Sequence, residues 1–182
     1  MNNKDVLIAA ALLAGKENAA AYLSGKQPLD AETGKADAEF LLFALRLALM
    51  EISERKCAPE REESVVSGGF IAYNSLTKRP IKILTVNGEK VPPSAHVEGF
   101  LAPVGTVTVK YRYFPEASED GELDLPQGVN PNAVVYYVAA ECAARDRMQD
   151  RAAYLNEKYE RALFSTSGNR KGVTMPERGW RA

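Results

Sequence analysis

The sequence predicts an α+β protein, mainly α, with about four or five packed helices, a small antiparallel β-sheet or hairpin insertion, and an extended carboxy-terminal arm. Three observations predict it. Apolar residues recur at helical spacing in the first third of the chain and again after Pro126. Between them, at about 70–114, the period drops to two, and β-branched and aromatic residues take over. Strands and helices do not alternate and nothing repeats, so a parallel sheet is not expected. The expected organisation is one helical domain over 1–164, its terminal helices packed together, with the β insertion projecting from them and an arm over 165–182.

DVLIAAALLAG (5–15) is rich in Ala and Leu, and Gly15 is a natural helix stop. A further short helix is expected around Ala19–Leu23, followed by a loop at Gly25, Pro28 and Gly34. Asp37 is the expected N-cap of a long helix ending near Lys56, with Pro59 beyond it. Phe40, Phe43, Ala44, Leu47, Met50 and Cys57 give that helix an apolar side, which Leu41, Leu42, Leu45 and Leu49 widen well past one face. So wide a stripe asks for a deep core position or a neighbouring subunit.

FIAYNSL (70–76) and IKILTVNGEKV (81–91) read as strands, and Asn87-Gly88 as a type I′ turn. Alternation sets Ile81, Ile83 and Thr85 opposite Lys82, Leu84 and Val86. In TVTVKYRYF (106–114) it sets Val107, Val109, Tyr111 and Tyr113 opposite Thr106, Thr108, Lys110 and Arg112. Pro92 and Pro93 fall outside the sheet, since proline removes a ladder donor. Asn130 or Asn132 caps the next helix, with Pro131 near its first position. Its apolar side, Val134, Val135, Val138, Ala139 and Cys142, breaks at Asp146 and Gln149. A new face then starts at Ala152, Leu155, Tyr159 and Leu163, which predicts two helices joined around 144–150.

With 46% hydrophobic and 26% charged residues and a net charge of -1, the composition is that of a globular protein without a dedicated duplex-binding surface. No signal peptide is expected, and the apolar run 39–52 is too short to span a bilayer. Cys57 and Cys142 are remote from each other and read as buried thiols in a reducing compartment. His96, the only histidine, sits in loop-like sequence, which removes histidine-based nucleophile and zinc schemes within one chain. No phosphate-binding glycine motif occurs, and no metal, cofactor or enzymatic activity is expected.

Glu116, Glu119, Asp120, Glu122 and Asp124 are the best candidates for ion binding or carboxylate hydrolysis. Their spacing lacks the ligand pattern of a calcium loop, however, and adjacent loop carboxylates are usually only solvated. The acids Glu119, Asp120, Glu122 and Asp124 are therefore read as subunit or partner contacts. Arg147 and Asp150 at the helix corner are read the same way. Lys78, Arg79 and Lys82 with Lys110 and Arg112 raise nucleic-acid binding, but the strand's tyrosines point away from its basic side. In the arm, Arg170, Lys171 and Arg181 with Trp180 as anchor suit an acidic partner. The rival reading, a small helical DNA-binding or regulatory protein, would use the charge-mixed corner at 144–151.

Three stretches carry a resemblance: FIAYNSLTKRPIKILTVNGEKV (70–91), VTVKYRYFPEASEDGELDLPQGVNPNAVVYYVAAECAARD (107–146) and DRAAYLNEKYERAL (150–163). Together they resemble the head–tail adaptor (head completion, connector) proteins of tailed bacteriophages and prophages, over roughly residues 36–164. The resemblance implies a helical core with a β insertion. It also implies a ring, typically of twelve subunits, between the portal protein and the tail or stopper protein, with a free form that can be monomeric. Genomic DNA would pass through the ring without sequence-specific binding. The protein would be made in the host cytoplasm and reside at the head–tail junction of the virion, with no membrane involved. The matching positions are Tyr113 and Pro115 at the strand end, Leu125 and Pro126 before the helix, and Tyr154, Tyr159 and Leu163 in the last helix. The resemblance implies that these residues set the fold, and that the arm after Ser165 binds a partner.

Overall fold

The computed structural model describes residues 2–56, 58–90 and 98–164. Asn2 opens helix α1 (Asn3–Ala14): its side chain accepts the Asp5 amide at 2.7 Å, while the Asp5 carboxylate accepts the Asn2 amide. Gly15 closes it with φ +78°, a left-handed conformation that glycine adopts without strain. A short α2 (Glu17–Leu23) leads to α3 (Ala31–Lys56).

Helix α3 starts seven residues, about two turns, earlier than expected. Asp30, not Asp37, accepts the Thr33 amide at 3.1 Å and the Thr33 hydroxyl at 2.6 Å. These bonds hold its carboxyl below the ordinary aspartate value. Gly34 therefore lies inside the helix. A Cβ there would stand 2.8 Å from the Asn18 carbonyl oxygen of α2, so glycine lets the two helices touch backbone to backbone. Asp37 is buried one turn further on.

The long helix also turns a different side inward. Leu41, Ala44, Leu45, Ala48, Leu49 and Ile52 are buried, whereas Phe43 and Met50 stand 53% and 46% exposed. The small alanines on the inward side admit close neighbours, so the bulkier side is left outward. Helix α4 (Pro131–Arg145) begins as expected, with Asn130 accepting the Asn132 amide at 3.0 Å and Pro131 in the first turn. The chain turns at Arg147, φ +62°, into α5 (Gln149–Phe164). Ala152, Leu155, Tyr159 and Leu163 are buried. Tyr154, expected to help set the fold, is 56% exposed because it lies off that face. The five helices of the described residues all contribute to one hydrophobic core, so α1 and α5 meet in it.

The sheet starts ten residues before the expected insertion. Its strands are β1 (Glu60–Ser67), β2 (Phe70–Ala72), β3 (Pro80–Val86), β4 (Glu89–Lys90), β5 (Gly99–Leu101) and β6 (Gly105–Tyr113). Four form an antiparallel sheet in the order β1-β6-β3-β4, while β2 and β5 pair separately. FIAYNSL is thus a strand only to Ala72, and Tyr73–Ser75 is a single 3-10 turn.

Central strand β6 alternates as its sequence predicts, burying Val107, Val109, Tyr111 and Tyr113. Strand β3 does not. Its pairing with β6 shifts between Pro80 and Lys82 and again between Ile83 and Thr85. Ile83 and Val86 consequently both pack on the sheet's own core. Asn87 and Gly88, φ +51° and +81°, make the expected two-residue turn, and the Asn87 side chain accepts the Thr108 amide at 2.8 Å. Pro92, Pro93, His96, Cys57 and the arm with Arg170, Lys171, Trp180 and Arg181 lie outside the described residues.

Candidate functional site

Where the sheet meets the helices, the stretch from Pro115 to Pro126 crosses between them as a strap. Both prolines are buried, and Ala117, Leu123 and Leu125 pack against the helical core. The strap is fastened to the first turn of α1. The Asn3 amide donates to the Gly121 carbonyl at 2.9 Å, and the buried Asn3 side chain donates to the Ser118 carbonyl at 2.8 Å. Gly121 has to be small here, since a Cβ would sit 3.1 Å from the Asn3 side-chain nitrogen and 2.5 Å from the Ser118 hydroxyl.

The acidity of the strap has a local cause. Glu119 lies 4.0 Å from Lys4, and Glu122 bridges Asn2, so both flank the positive end of the α1 dipole. Glu116 pairs with Lys78 at 3.1 Å. Asp124 accepts the Tyr113 hydroxyl, and burial together with that carboxylate pushes the phenol well above the ordinary tyrosine range. Tyr113 therefore stays a neutral donor that ties the sheet to the strap. Asp120 is exposed. Among the described residues no group of three or more His, Cys, Asp or Glu side chains is placed to hold a metal ion.

Between strap, α3 and the start of β3 lies an open cleft of about 1240 Å³. Arg46 and Met50 of α3 line one wall, Arg79 and Ile81 another, and Phe114 and Glu122 the strap side. Met50, Ile81 and Phe114 are 46%, 47% and 42% exposed. The strap's acids were legible in the sequence as a group. Arg46 and Met50 were not legible as partners of that group, because they sit some seventy residues away on a helix whose inward side was misjudged.

The other candidate, the corner after α4, is a fastening point. Lys16 lies 2.6 Å from Asp146 and 3.6 Å from Asp37. Arg145 pairs with Asp37, approaches Asp146 at 3.4 Å, and stacks 4.3 Å over the Phe40 ring. The Lys16 ammonium holds the Asp146 carboxyl below its ordinary value. Arg151 adds a bond to the Leu13 carbonyl at 2.6 Å, so the corner is docked on the end of α1. Arg147 and Asp150 remain exposed. Nearby Cys142 is a free thiol whose pKa burial pushes up to about 11, so it is protonated at neutral pH.

A third cluster joins α3 to α5. Arg55 makes a two-pronged pair with Glu160 at 2.6 and 2.8 Å, and Glu51 accepts the Tyr159 hydroxyl at 3.2 Å. On the sheet's solvent side, Glu60 of β1 lies 2.9 Å from Lys110 and 3.0 Å from Arg112. The basic side of β6 is thus matched by acids from β1.

No family model, curated protein or solved structure matches this chain.

Proposed function

We propose that this chain is a structural protomer of a phage or prophage head–tail junction, an adaptor that assembles as a ring between the portal and the tail or stopper. One observation carries the reading: α3 holds Phe43, 53% exposed, with the part-exposed Leu47 beside it on an outward apolar side that this single chain does not cover. A protomer built to be covered by neighbours accounts for that side. The helical core with a β excursion is the architecture that the motif resemblance implies, which supports the reading further. DNA passing without sequence-specific contact is supported by the pairing of Lys110 and Arg112 with Glu60, which leaves that strand little free positive charge for phosphate.

The deciding experiment is the mass in solution of the purified chain, alone and mixed with a portal protein encoded beside it. The expected result is a ring, or a complex with the portal that contains several copies. A strict monomer at high concentration that never joins the portal sinks the reading. Phe43→Glu should abolish the assembly while leaving the helical circular-dichroism spectrum unchanged.

A further inference from the structure

The cleft beside the strap brings together cations unpaired among the described residues and exposed apolar side chains. Most charged side chains around it are already matched: Lys78 holds Glu116, Arg61 lies 3.5 Å from Glu63, and Asp124 accepts from Tyr113. Arg46 and Arg79 have no ion-pair partner among the described residues, and both are exposed. On the opposite wall only Glu122 is comparably free. Three half-exposed apolar side chains, Met50, Ile81 and Phe114, stand between these charges. The space, about 1240 Å³, is larger than the 300–1,000 Å³ typical of small-molecule pockets, and it is open to solvent.

We propose that this cleft is the docking groove for an extended acidic segment of a partner protein. Carboxylates of the segment meet Arg46 and Arg79, and an apolar side chain seats among Met50, Ile81 and Phe114. Planar guanidinium groups suit this occupant, because each can take a carboxylate with two parallel hydrogen bonds. A second copy of this chain offers no loose acidic segment for the groove. Its own acidic stretch is the strap, which is bound to Asn3 and packed on the helical core. The carboxy-terminal arm has the wrong sign, carrying four basic residues to one acidic residue. The proposal deepens the adaptor reading and rests on it for the partner being a protein of the junction.

The test is selection from a random ten-residue peptide library against the full-length chain, followed by fluorescence anisotropy with the enriched peptides. Enrichment of Asp and Glu around an aromatic or aliphatic residue is expected. Arg46→Glu with Arg79→Glu should weaken binding by about tenfold or more. Arg46→Lys with Arg79→Lys should weaken it less than the reversal does, since the charge is kept while the two-bond geometry is lost, and this graded loss separates charge from misfolding. Basic enriched peptides, no enrichment at all, or binding unaffected by the double reversal would each overturn the proposal. So would tighter binding of a twenty-nucleotide single strand than of any peptide, lost in the same variants. Portal association is scored separately. Association that survives the double reversal rejects the groove and spares the adaptor reading. Acidic peptides bound by a chain that ignores the portal reject the adaptor reading and leave the groove standing.

Discussion

In the helical core, alanines pack among leucines and valines. The core of the sheet is filled instead by Val107, Val109, Phe100, Tyr111 and Tyr113, and two of its largest side chains carry hydroxyls. The difference follows from geometry. Helices crowd through small side chains, as Gly34 against Asn18 shows, so their core depends on volume. The small sheet has too little apolar surface for that, and it anchors its tyrosines to carboxylates. Tyr111 donates to Glu63 at 2.9 Å, and Thr77 also donates its amide to Glu63 at 2.9 Å. Burial alone would raise the Glu63 pKa, but these donors outweigh it and the net direction is down. One core is thus sensitive to lost volume and the other to lost hydrogen bonds.

Removing volume from the helical core should have the largest effect. Leu45→Ala is expected to cost about 2–5 kcal/mol in urea unfolding, because Leu45 is fully buried. Asp37→Ala comes next, at about 1.5–3 kcal/mol, since it removes one of the two carboxylates that Arg145 and Lys16 share and leaves them Asp146 alone. Tyr111→Phe should cost about 1 kcal/mol, because Glu63 keeps its Thr77 donors. If Tyr111→Phe costs nothing measurable, the contrast between the two cores is wrong.

The smallest effect is one of pH. Lys16 lowers the Asp146 carboxyl and Lys110 lowers that of Glu60, so the unfolded chain binds protons more readily than the folded one. Their stabilisation is complete above the ordinary carboxylate values of about 4 and is lost as pH falls through the lower folded values. Thermal melts between neutral pH and pH about 3 should show this acid loss. Asp146→Asn should flatten the profile more than Glu60→Gln, because Asp146 is the less exposed of the two.

The two cores also differ in how far they could be read ahead. Helices α1, α4 and α5 announce themselves through Gly15, Asn130 and the break at Asp146, which are local signals acting on local backbone. Strand β6 does so through strict alternation. Strand β1 did not, since EREESVVS is charge-rich, and only pairing with β6 makes it a strand, each outward residue meeting a partner such as Glu60 opposite Arg112. The inward side of α3 was misjudged because both sides are apolar. The choice between them is made by neighbouring helices remote in sequence. The candidate cleft was only half legible: the strap's acids are contiguous, whereas Arg46, Met50 and Arg79 reach it through tertiary folding.

One bond described by neither core bears on how such a chain could be rebuilt. The Tyr113 amide donates to the Pro59 carbonyl at 3.2 Å, so the polypeptide leaves the helices and returns to them at the same spot. The strands between those two residues form an excursion that closes on itself. Cutting it out and rejoining the stumps with a short turn would still deliver α3 to the strap and α4. The sheet is therefore a unit that an engineer could exchange or lengthen at one closed base, provided the Tyr113–Asp124 and Lys78–Glu116 ties to the strap are kept.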